Sequence, residues 1–214
     1  MKIFISYAHQ DRELAGNIKS ILQYEYGFDV FLAHDEIRPT EEWEAVIISN
    51  LRTSNVLVGL LTENYNNSEW TDQESGFALC RKILVIPVKV GVNPYGFLKR
   101  YQALTFRTIE SACKNIFNLI IDEEDLREDA MNGFIRVYSE SESFDDAGTK
   151  TYKLLEYDDY LSPQQRNQIL SIAVKNSQIY LGYRARRRIK RFIEKHEEEL
   201  DSEIVGRFME LIAG

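Results

Sequence analysis

Glu74 follows Trp70 by four residues and precedes Phe77 by three, so on a helix its carboxylate shares one side with two aromatic rings. A carboxylate in that setting is costly to desolvate unless it is hydrogen-bonded or used in chemistry. A partly buried glutamate can accept hydrogen bonds from sugar hydroxyls. It can also stabilise the oxocarbenium-like centre of glycosyl cleavage, as paired carboxylates do in glycoside hydrolysis. Spacing alone leans the other way, towards an exposed glutamate beside two core aromatics.

Other groups gather where a ligand would sit only if the elements carrying them are arranged suitably. Lys2-Ile-Phe-Ile-Ser6 reads as a short buried strand ending in Ser6 and Tyr7, whose polar turn could meet a nucleotide or be ordinary turn chemistry. Asp11 is a plausible cap for a helix with the stripe Leu14, Ile18, Ile21 and Leu22. After Gly27, the run 28–32 reads as a second strand, ending in Phe31 and Leu32, which suit either core packing or a pocket lining. Asp35 lies in the polar loop that follows, and loop ordering explains it as well as ligand contact. Trp43 begins the next helical period, with Val46, Ile47 and Leu51, where it suits a core anchor or a site residue. Val56–Leu61 is the near-continuous apolar run of a strand covered on both faces. A helix carrying Trp70, Glu74 and Phe77 precedes a fourth strand over 83–88.

Such alternation predicts βαβ units on a parallel sheet, whose carboxyl edge is the ligand-binding edge of open α/β folds. A fifth strand over 103–107 and a helix over 112–121 complete a flavodoxin-like domain, 1–125. The polar, acidic stretch around 139–148 predicts a linker or connecting segment over 126–148. Residues 149–214 read as a helical extension, with Ser162-Pro163-Gln164-Gln165 as a capping box with proline at the first helical position.

The net charge of −8 argues against general binding to nucleic acid or an anionic membrane. Cys80 and Cys113 make no disulfide framework, and His9, His34 and His196 are too scattered for a spaced metal site. No apolar run approaches the roughly 18–20 residues of a membrane span. Met1-Lys2 leads straight into a strand rather than a signal peptide, so a cytoplasmic location is expected. There is no G-x-G-x-x-G after the first strand and no P-loop, so no dinucleotide held as a redox cofactor and no P-loop nucleotide are expected.

Several of these segments, in this order, resemble the Toll/interleukin-1 receptor (TIR) domain family. Phe4-Ile5-Ser6-Tyr7-Ala8 with Asp11 resembles its first signature. Gly27–Phe31 with Asp35, Ile37, Arg38, Pro39 and Trp43 resembles the second, which contains the BB loop; Thr40 departs from the glycine common there. Ser54, the strand 56–61, Tyr65, Ser68, Trp70 and Glu74 follow the family's third pattern. The resemblance covers about residues 1–110. It implies an NAD-cleaving enzyme of prokaryotic type, with Glu74 as the catalytic glutamate and Ser6, Tyr7, Phe31, Leu32, Asp35, Trp43 and Trp70 as substrate-binding candidates. The product would be ADP-ribose or a cyclic isomer, signalling in anti-phage defence of a Thoeris-like kind to a separate effector, with self-association through TIR–TIR contacts. The alternative within the family is a non-catalytic interaction module.

Outside the resemblance, Arg184, Arg186, Arg187, Arg188, Lys190 and Arg191 form one dense basic run, followed by Glu197–Glu199. A solvated helix with Ile189, Phe192 and Ile193 facing inward is the favoured reading; a phosphate or protein-partner site is the sharper one.

Overall fold

The structure, a computed structural model, describes residues 1–32, 43–68 and 70–213. Its N-terminal unit, Met1–Leu126, is built on five parallel strands: β1 (Lys2–Ser6), β2 (Asp29–Leu32), β3 (Val56–Leu61), β4 (Leu84–Lys89) and β5 (Leu104–Thr105). They lie in the order β2-β1-β3-β4-β5, with the switch in direction between β1 and β3. The helices are α1 (Arg12–Tyr24), α2 (Trp43–Thr53), α3 (Thr71–Arg81) and α4 (Ile109–Asp122). Helix α1 packs with α4 and α2 with α3, while a 3₁₀ helix, Gly96–Arg100, links β4 to β5 beside α3. This is the expected α/β architecture.

The local causes are legible. Every residue of β3 is buried, as an apolar run covered on both faces requires. Ala15, Ile18 and Leu22 form the inward stripe of α1. Thr108 and Ser111 close a capping box that starts α4 before Ala112. Asp11 stands at the start of α1 without capping it by its side chain. Its two carboxylate oxygens instead accept from Thr62 Oγ1 (2.5 Å) and Asn64 Nδ2 (3.0 Å), tying the turn after β1 to the turn after β3.

Register decides which side chains share a face. Phe4 pairs with Phe31 and Leu57, Ile5 with Leu32 and Val58, and Ser6 with Gly59. Lys2 Nζ reaches Asn50 on α2 (2.6 Å) and Ser6 reaches α3, so Lys2, Phe4, Ser6 and Phe31 face that helix pair. Successive strand residues alternate, so Ile3, Ile5 and Leu32 face the opposite layer.

The second unit, Arg127–Gly214, is helical among its described residues. It comprises most of α5 (Glu124–Ser139), then α6 (Phe144–Leu155), α7 (Pro163–Lys175), α8 (Ser177–Tyr180), α9 (Tyr183–Lys195) and α10 (Ser202–Ala213). The segment 126–148, expected as a linker, is largely helix. Its acidic residues lie on the outer face of α5, while Ala130, Met131, Phe134, Ile135 and Tyr138 are buried. Asp145 and Asp146 occupy the first turn of α6, where negative charge favours the helix dipole, behind the Ser143 cap. The Ser162–Gln165 capping box forms as expected at α7. Gly148 lets α6 meet α9 closely, since a Cβ there would lie 3.1 Å from Arg184 Cβ.

Candidate functional site

Helix α3 turns Thr71, Glu74, Ser75 and Ala78 inward, a stripe at i, i+3, i+4 and i+7. Small neighbours on that stripe leave room for the Glu74 carboxyl, which is only 1% exposed. Ser6, the last residue of β1, donates from Oγ to Glu74 Oε2 at 2.5 Å. Glu74 Oε1 has no hydrogen-bond partner among the described residues. Burial pushes the carboxyl up to about 8, against the lowering pull of the Ser6 bond. The result is a desolvated acid beside the switch between β1 and β3, where open α/β sheets take ligands.

Tyr65 completes the cluster. Its hydroxyl lies 3.0 Å from Ser6 Oγ and 3.1 Å from Ser75 Oγ, and burial holds the phenol far above its ordinary range. The backbone of Tyr65 is fixed at both ends: its N–H donates to Thr62 Oγ1 (3.2 Å) and its carbonyl accepts from Thr71 Oγ1 (2.9 Å). Gly59 makes room for the ring, because a Cβ there would stand 3.1 Å from the Tyr65 hydroxyl.

The remaining candidates are distributed around this centre. Trp43 and Trp70 meet edge to face with ring centroids 4.0 Å apart, one opening α2 and the other at the cap position of α3. The carbonyl of Trp70 accepts from the Glu74 N–H at 2.9 Å. Phe31 lies on the Ser6 face, its ring 5.4 Å from that of Phe4, whereas Leu32 points to the other layer. Tyr7 is fully buried. Asp35 lies outside the described residues. The aromatic spacing of Trp70, Glu74 and Phe77 therefore resolves unevenly: Glu74 is buried, and Trp70 and Phe77 are half-buried.

Ser75 and Gly59 lie outside the aromatic spacing of α3, and that spacing gives Tyr65 no role. Ser75 was accessible from the polar i, i+3, i+4, i+7 stripe of α3, and Gly59 from its place inside an otherwise bulky apolar strand.

Among the described residues no cluster of His, Cys, Asp and Glu suits a metal ion, and no helix is long and apolar enough to cross a membrane. In the helical unit, the basic run lies on α9, with Ala185, Ile189, Phe192 and Ile193 turned inward and the arginines outward. Arg188 stacks over Tyr152 at 5.0 Å and Arg184 pairs with Asp145 at 3.5 Å, both at the surface. The buried polar centre of this unit is Asp158, which accepts from Lys195 Nζ (2.6 Å), pairs with His196 Nε2 (2.8 Å) and faces Arg166 Nε (3.6 Å).

A family model described as TIR domain matches residues 3–119. Among solved structures, the chain is similar to the TIR domain of the Toll-related receptor TRR-2 from Hydra magnipapillata. The two are 19% identical over 56% of this chain and 95% of that one, with a TM-score of 0.46. No curated protein matches.

Proposed function

The chain belongs to the TIR-domain family, and we propose that it is an NAD nucleosidase or cyclase in which Glu74 stabilises the ribosyl centre as nicotinamide leaves. One observation carries this reading: a buried carboxyl at the carboxyl edge of the sheet, held by Ser6 through one oxygen and, among the described residues, unpartnered at the other. A buried polar atom left unpaired destabilises a fold by roughly 1–3 kcal/mol and points to a use in binding or catalysis. Oε1 is the atom free to accept a ribose hydroxyl or to face developing positive charge at the anomeric carbon. Phe31 on the same face, and the indoles of Trp43 and Trp70, supply apolar and aromatic surface for nicotinamide or adenine. Ser6 and Tyr7 stand at the strand end, and Asp35 remains a loop candidate for substrate contact.

In the reaction, the bond between the anomeric carbon and the nicotinamide nitrogen breaks and its electron pair leaves with neutral nicotinamide. Attack by water forms ADP-ribose and releases one proton. Attack by a nucleophile within the same molecule forms a cyclic isomer. We further propose that the product serves anti-phage signalling of a Thoeris-like kind, acting on a separate effector. Self-association belongs to the proposal, because many TIR active sites resemble one another in being completed by a neighbouring copy. A fully active protein that light scattering shows to be strictly monomeric would overturn that part.

A non-catalytic interaction module is the rival, and it leaves the unpartnered Oε1 of Glu74 without a reason. The test is mass spectrometry of NAD incubated with concentrated protein and with Glu74→Gln. Nicotinamide release that is abolished by the substitution supports the enzyme. Equal nicotinamide release from both proteins would separate Glu74 from the cleavage, and none from either at high concentration favours the module.

A further inference from the structure

Among the described residues, the Glu74 carboxyl is hydrogen-bonded by Ser6, and that serine begins a chain. Ser6 Oγ, Tyr65 Oη and Ser75 Oγ follow one another from Glu74 Oε2 at 2.5, 3.0 and 3.1 Å. All four side chains are buried. Ser75, at the far end, lines a cavity of about 350 Å³ together with Asp72, Tyr95 and Leu98, between α3 and the 3₁₀ helix Gly96–Arg100. The chain therefore begins at an enclosed acid and ends at a cavity on the other side of Tyr65. It crosses β3 at Gly59, where any side chain would crowd the Tyr65 hydroxyl.

We propose that Ser6, Tyr65 and Ser75 form a hydroxyl relay that moves a proton between Glu74 and the cavity beside Asp72. With Glu74 ionised, each hydroxyl donates inward: Ser75 to Tyr65, Tyr65 to Ser6 and Ser6 to the carboxylate. With Glu74 protonated, its O–H donates to Ser6 and the chain runs outward. Discharge moves one proton along. The acid proton passes to Ser6 Oγ, the Ser6 proton to Tyr65, the Tyr65 proton to Ser75, and the Ser75 proton to water in the cavity. Each hydroxyl oxygen ends with one hydrogen, as it began, and no electron changes hands. A chain of this kind also polarises cooperatively, so each link strengthens the next.

Among the described residues, the titratable groups along this chain are Glu74 at its inner end, Tyr65 in its middle, and Tyr95 and Asp72 at its outer end. Tyr65 works as a neutral hydroxyl, since burial keeps the phenol from ionising in the working range. The relay deepens the proposed function and rests on it. A carboxylate that stabilises a ribosyl cation must be ionised, while burial favours its protonated form near neutral pH. The relay supplies a route by which the buried acid loses its proton before the bond breaks.

The test follows Glu74 itself. The carbonyl stretch of its protonated acid, identified in infrared difference spectra by its absence in Glu74→Gln, is monitored after an upward pH jump. Tyr65→Phe keeps the ring and removes the central hydroxyl; Ser75→Ala removes the outer hydroxyl with little change in volume. The relay predicts loss of the acid band slowed about tenfold or more in both variants. Parental kinetics in a folded Ser75→Ala overturns it, whatever Tyr65→Phe does. This measurement needs no substrate. Slowed deprotonation in a protein that never cleaves NAD would retain the relay and remove the enzyme, whereas NAD cleavage with parental deprotonation in Ser75→Ala would do the reverse.

Discussion

Ser6 and Glu74, sixty-eight positions apart, meet across 2.5 Å where the end of β1 faces the first turn of α3. The serine hydroxyl offsets part of the cost of burying the carboxyl, and the rest appears as a carboxyl held at about 8. That imbalance has measurable consequences.

Replacing Glu74 with Gln is expected to stabilise the protein while abolishing NAD cleavage. From the ordinary carboxyl value of 4.5 to about 8 the folded chain keeps a proton that the unfolded chain has released. Stability therefore falls as pH rises through that window and levels off above it. Gln carries no such dependence. Thermal melts should show little difference between the proteins at the acid end, and a gain for Glu74→Gln on the order of a few kcal/mol at the alkaline end. A variant less stable than the parent at alkaline pH contradicts this account.

The rate of NAD cleavage should climb with pH with its midpoint near 8, because the ionised carboxylate is the working form. Ser6→Ala removes the hydrogen bond that favours ionisation, so the midpoint of kcat/KM against pH should move further up. A midpoint unchanged in Ser6→Ala would separate Glu74 from the rise.

Gly59→Ala tests how tightly the cluster is built. The added methyl would stand 3.1 Å from the Tyr65 hydroxyl, which is bonded to Ser6 and Ser75 and carried on a backbone fixed by Thr62 and Thr71, and so is poorly able to yield. A loss of about 1–3 kcal/mol in denaturant unfolding is expected from such overpacking. Unaltered stability would show that Tyr65 gives way freely.

In the helical unit, Asp158→Asn should be destabilising by roughly 3 kcal/mol, since it leaves Lys195, His196 and Arg166 facing a neutral group. Burial pushes the Asp158 carboxyl up, but the bonds from Lys195 and His196 prevail and hold it below the usual range. Its stabilising effect is thus present above the unfolded carboxyl value and is lost as pH falls through the lowered one. Urea midpoints of parent and variant should converge in acid; a constant gap down to low pH would place the effect elsewhere.

The sequence by itself determined what depends on neighbours along the chain. The apolar run Val56–Leu61, the stripe of α1, the Ser162–Gln165 cap and the strand–helix alternation are local patterns, and each formed as its periodicity required. Helix α5 was also local and was obscured by its charge, because an acidic outer face hides a buried one when composition is read without period. Tertiary structure alone decided the pairings. Asp11 suits a helix cap in sequence, yet its carboxylate is taken by Thr62 and Asn64 from another loop. Phe31 and Leu32 are adjacent in the chain but lie on opposite layers once the β1–β2 register is set. Glu74 could be singled out by type and spacing, but its burial, its bond to Ser6 and its link through Tyr65 to Ser75 arise only when β1, β3 and α3 meet. Hydrogen bonds act over about 3 Å in space and carry no trace of the dozens of residues between their partners.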